Sequence, residues 1–164
     1  MFKPVLLAVL LTAQTPSATN HVGLIAGKLV VPTQRPISKA QVILLSPDYT
    51  ERWNTDVQQR LDNYWERFRP TFIQQKELFA EVTRMAYRDS IDSIVSEMRR
   101  SDPKSFSEYV RQSTDGQFEF KNVPFGKYRL LAIGLVAGQD LIWEESVQLD
   151  SSVPRYIQLK KTVP

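Results

Sequence analysis

Cysteine is absent from the chain, and histidine occurs once, as His21. The first absence excludes disulfides and a lipid-modified cysteine. Together they exclude the usual zinc sites, which need clustered thiolate and imidazole ligands. A Ser-His-Asp triad has no base to draw on, because His21 stands beside an expected cleavage site. Glycine is scarce too: the 6 residues stand singly at turns or in strands, so there is no phosphate-binding loop. No apolar run approaches the ~20 residues that a membrane-spanning helix needs. Like charges never gather into a block, and a net charge of +3 is too small to argue for nucleic acid. No cofactor and no metal are expected from this inventory.

What is present begins with an export pattern. Lys3 supplies a positive start, Val5 to Leu11 an apolar core, and Ala13 and Ala18 small residues after which cleavage could fall. Residues 1–18 therefore read as a secretory signal peptide. Without cysteines or an Asn-x-Ser/Thr acceptor, a bacterial periplasmic or secreted protein fits better than a secreted animal one. The remaining residues, 22–164, are expected to form one domain.

Period-two alternation marks strands. In Val22 to Val31, Ile25, Gly27, Leu29 and Val31 share a face; Pro32 and Pro36 then turn the chain. In Lys39 to Leu45, Ala40, Val42 and Leu44 face one way while Ile43 and Leu45 face the other. Apolar residues on both faces require a cover on the outer side of the sheet. Leu141 to Leu149 and Arg155 to Lys160 read as closing strands, with Glu145 marking an edge or a bulge.

Between the second and third strands the period changes. Trp53, Val57, Leu61, Tyr64 and Phe68 recur at helical spacing, and so do Leu78, Val82, Met85, Ile91, Ile94, Val95 and Met98. Residues 48–112 form a helical insertion on this reading. Pro70 is expected to break or kink it, and a hairpin of two helices is favoured over one long rod. Asp102 and Pro103 restart a short helix, to about Gln112, that buries Phe106.

The stretch Thr114 to Ile133, TDGQFEFKNVPFGKYRLLAI, reads as turn, strand, turn and strand. Phe118 and Phe120 alternate with polar residues, and Asn122 to Gly126 turns the chain. With Gly27 to Leu44 and, more weakly, Trp143 to Leu149 and Ile157 to Leu159, it resembles the carboxypeptidase regulatory-like domain. The resemblance implies a prealbumin-like antiparallel β-sandwich, mainly β, interrupted here by an α-helical insertion. Members of that family act mostly as non-catalytic docking, adhesive or accessory modules. The insertion departs from the family pattern.

Candidate chemistry is thin. Asp89 and Asp92 share a helical face beside Arg88, and Glu144 and Glu145 point to opposite faces of a strand. The insertion instead carries an aromatic and basic group: Trp53, Arg60, Tyr64, Trp65, Arg67 and Phe68. Such residues dominate protein interfaces. Packing onto the sheet is the competing explanation for the aromatic stripe. The chain is expected to be a non-enzymatic binding or structural module whose partner is another envelope or secreted protein. A carbohydrate-binding module and an accessory domain of a hydrolase are the alternatives. The first needs exposed tryptophans on a sheet face, and the second a close carboxylate pair in a pocket.

Overall fold

A computed structural model describes residues 21–31 and 36–160. The expected signal peptide, most of the first turn and residues 161–164 lie outside these. Among the described residues the order is β1 (Val22–Val30), β2 (Ile37–Leu45), α1 (Pro47–Gln74), α2 (Lys76–Ser101), α3 (Pro103–Tyr109), β3 (Val110–Ser113), β4 (Gln117–Pro124), β5 (Gly126–Val136), β6 (Gln139–Leu149) and β7 (Arg155–Lys160). Helices of 28, 26 and 7 residues balance the strands in total length, so the fold is mixed rather than mainly β.

The strands form two mostly antiparallel sheets, β4-β1-β7 and β3-β2-β5-β6. The exception is β1 with β7, which run parallel. Alternation decides what each strand buries. Ile25 and Leu29 of β1, Phe118 and Phe120 of β4, and Ile157 and Leu159 of β7 point inward from the smaller sheet. Val42, Leu44, Leu130, Ala132, Trp143, Val147 and Leu149 do so from the larger one, and all of them belong to a single buried cluster. Fully burying one such aliphatic side chain stabilises by about 1.5–3 kcal/mol. Trp143 also ties the sheets by a hydrogen bond, its Nε1 donating to the Val30 carbonyl at 3.1 Å.

The other faces of β2, β5 and β6 are apolar as well. Ile43, Leu45, Leu131 and Ile142 form a second cluster with Trp53 and Val57 of α1 and Ile91, Ile94, Val95 and Met98 of α2. The helices therefore cover the outer side of the four-stranded sheet. Ser46 caps α1 and Pro47 begins it. Pro70 does not end it: α1 continues to Gln74, and the chain leaves helical geometry at Gln75 (φ −133°, ψ 88°). Phe68 and Phe72, one turn apart and flanking Pro70 in sequence, pack with ring centroids 6.1 Å apart. α2 then folds back along α1, as Arg52 to Glu97 and Tyr64 to Asp89 contacts record.

Three other expectations are corrected. Residues 110–112 are strand rather than helix, because Val110 to Ser113 pairs with the free edge of β2. Phe106 is only half-buried in α3, under the guanidinium of Arg99 at 4.9 Å. Asn122 does not begin a turn. It sits at φ 54° inside β4, where an extra residue against β1 makes a bulge. The bulge shifts the alternation by one, and Val123 points inward after Phe118 and Phe120. Glu145 introduces no bulge; β6 pairs with β5 in unbroken register and forms a sheet edge.

The Asp115–Gly116 turn forms as the sequence indicates, with Gly116 at φ 79°. Asp115 Oδ1 accepts from the Gln117 backbone N–H at 2.9 Å and from the Ser113 hydroxyl at 3.1 Å. These bonds, the backbone one foremost, hold its carboxyl below the ordinary value of 3.8. A depressed acid stabilises the fold above its unfolded value, and that contribution is lost as pH falls through the folded value. The urea midpoint is accordingly expected to drop on acidification below about pH 4, and Asp115→Asn to shrink that drop. Denaturation of both proteins at neutral pH and in acid checks it.

Candidate functional site

The two long helices differ in burial between their two ends. Near the sheet, Trp53 is 2% exposed and meets Tyr87 edge-on, ring centroids 5.6 Å apart. Burial raises the Tyr87 phenol above its usual 10.0. Below it Arg129 donates to Glu144 on the outer face of the sheet, both half-buried. Burial pushes the Glu144 carboxyl up, with Arg129 opposing. This end is a packed seam.

The far end is different. Trp65 lies against Phe72, nearly parallel with centroids 5.8 Å apart, and meets Phe79 edge-on at 6.1 Å. Phe72 and Phe79 meet edge-on at 5.7 Å. Phe72 is buried, but Trp65 is 44% exposed, Phe79 47% and Ile73 70%. Together they line an open cleft of ≈ 580 Å³. Isolated apolar side chains on a surface are ordinary; here the exposed ones are contiguous around a buried ring.

The six residues singled out from the sequence do not form one surface. Trp53 belongs to the seam, not to an outer face. Arg60 Nε donates to Asp56 at 2.8 Å within α1, and that bond raises its pKa. The Tyr64 hydroxyl reaches Asp89 on α2 at 3.5 Å, and the Tyr64 ring packs on Phe68 at 6.4 Å. Arg67 is exposed over the Phe68 ring. Trp65 alone of the six joins the exposed patch.

Phe72, Ile73 and Phe79 were not singled out. Their signal was the doublets Phe72-Ile73 and Leu78-Phe79 at the helix ends. Adjacent helical residues point about 100° apart, so one buried face cannot take both members.

A second cleft, of ≈ 560 Å³, lies where α1 leaves the sheet, among Thr50, Glu51, Asn54, Lys127, Arg129, Ser146 and Gln148. Glu51 is the one carboxylate in its lining, so it offers no carboxylate pair of the kind a glycoside hydrolase uses. Asp89 is tied to Arg88 at 3.6 Å, and Asp92 is exposed. Among the described residues no three His, Cys, Asp or Glu side chains are grouped to hold a metal ion. No described helix is long and apolar enough to cross a membrane. Trp143, the strand tryptophan that a sugar-binding face would use, is fully buried. No protein-family model matches the chain, and no curated protein or solved structure matches it either.

Proposed function

We propose that the chain is an exported, non-enzymatic module of the bacterial envelope or extracellular space, whose helical hairpin presents a protein-interaction surface. Its two sheets are read as a β-sandwich of the carboxypeptidase regulatory-like type, on the strength of the Thr114 to Tyr128 pattern. Export rests on Lys3, Val5 to Leu11 and the small residues Ala13 and Ala18. One observation carries the functional reading: the hairpin is buried at its root, yet leaves Trp65, Ile73 and Phe79 exposed at its end. A cover for the sheet would need only the root.

Deleting residues 48–112 is a poor test, because it would bare Ile43, Leu45, Leu131 and Ile142. Paired Trp65→Ala and Phe79→Ala substitutions leave the seam intact. With the protein as bait in an extract of bacterial envelopes, the wild type is expected to retain a partner that the double variant loses, with unchanged circular dichroism. An identical retained set for the two proteins would refute the reading.

A further inference from the structure

An outer strand of a sheet presents a row of backbone N–H and C=O groups on which another chain can build. Among the described residues the two sheets end in β4, β7, β3 and β6. Three of these carry ordinary protection. β3 is only 4 residues long. β4 is bent by the bulge at Asn122 and exposes Lys121. β7 has 6 residues, beginning with Arg155 and ending with Lys160. Short length, bulges and cationic side chains all discourage a further strand.

β6 has none of these. It is 11 residues long, contains no proline, lysine or arginine, and follows β5 in unbroken register from Gln139 to Leu149. Among the described residues no strand pairs with its other side. Alternation puts Leu141, Trp143, Glu145, Val147 and Leu149 on its inner face. Trp143, Val147 and Leu149 are buried there, yet Glu145 between them is exposed. Its neighbour on β5 is the fully buried Leu130. The other acids of β6 are matched within the chain, Asp140 by Arg88 at 3.6 Å and Glu144 by Arg129. The Glu145 side chain has no hydrogen bond or ion pair among the described residues.

A carboxylate on an inner face reaches water only round the rim, where the sheet stops. A strand added beyond β6 would close that route and bury the charge, which is costly unless a cation answers it. A second β6 cannot supply one. No Lys, Arg or His lies between 139 and 149, so no register of one β6 on another brings a cation to Glu145.

We propose that Glu145 is the residue that keeps β6 from pairing edge to edge with a second copy of the chain.

Glu145→Val removes the charge and favours extended backbone; Glu145→Asp keeps the charge. Gln148→Val adds the same apolar group on the outer face of the same strand and leaves Glu145 in place. In sedimentation equilibrium Glu145→Val is expected to associate at least about tenfold more tightly than the wild type, and the other two variants no more tightly than it. Hydrogen exchange should locate the new contact, with added protection at the β6 amides turned away from β5. Glu145→Thr, uncharged and strand-favouring but polar, is expected to behave as Glu145→Val does, with native circular dichroism, and takes its place if the valine variant fails to fold. Association of these variants no tighter than that of the wild type overturns the proposal. So does equal association of Gln148→Val, which would make added apolar surface the cause. Protection gained elsewhere than along β6 overturns it too.

Discussion

Trp53→Ala is expected to cost about 3–5 kcal/mol, the range for removing a large aromatic side chain from a packed core. Trp53 is 2% exposed and shares a cluster with Ile43, Leu45, Leu131 and Ile142 of the sheet and Ile91, Ile94, Val95 and Met98 of α2. It is the largest side chain in that cluster. Its removal leaves a cavity between three elements, each rigid enough that none can collapse to fill it. Trp53→Phe is expected to cost far less. It keeps a ring beside Tyr87, and the indole Nε1 has no protein acceptor to lose. Urea denaturation gives the two values, and amide exchange locates the effect. Protection should fall in α1 and α2 more than in β1 and β4, because the hairpin loses its anchor while the cluster between the sheets is untouched. A Trp53→Ala cost under about 1 kcal/mol would mean that the hairpin is not held to the sheet through this residue.

The same cluster shows which parts of the fold could be read in advance. Ile43 with Leu45, and Leu131 with Ile133, put apolar groups on the wrong side of strands that already bury Val42, Leu44 and Leu130. That conflict demanded a cover, and the helical period of 53–68 and 78–98 supplied one. Val42 and Phe118, separated by the whole insertion, lie in one cluster as the alternation implied. What escaped was set by contacts distant in sequence. Val110 to Ser113 is too short to announce a strand, and becomes one because β2 has an edge to fill. Asn122 looks like a turn residue, and its positive φ serves a bulge instead. Pro70 lies inside α1, and the chain turns back five residues later, at Gln75. Alternation gives no sign of strand direction, so the parallel pairing of β7 was invisible. At the hairpin end, a stripe of apolar residues at helical spacing indicates only what is buried. The exposed patch is made of what the stripe leaves over, and nothing in the period of α1 and α2 distinguishes Trp65, Ile73 and Phe79 from other off-stripe positions.

The parallel pairing of β1 and β7 supports a second expectation of large effect, at Gly27. This glycine lies mid-strand opposite Phe118 on one side and Ile157 on the other. A β-carbon there would stand 2.1 Å from the Ile157 carbonyl oxygen and 2.7 Å from the tip of the Phe118 ring. The ring could swing aside, but the carbonyl is backbone in the neighbouring strand. Gly27→Ala must therefore push β7 away from β1 and open the cluster that Ile157 and Leu159 help to close. A cost of about 3 kcal/mol is expected, at the upper end for inserting one methyl into a full core. Gly138→Ala is the natural comparison. Its φ is +81° with open space where a β-carbon would go, so the cost is conformational only, about 1 kcal/mol. Thermal unfolding should rank Gly27→Ala well below Gly138→Ala, with exchange in β7 accelerated in the first variant alone. The reverse order would mean that β7 does not lie along β1. The smaller sheet would then have to close its side of the core with some other strand.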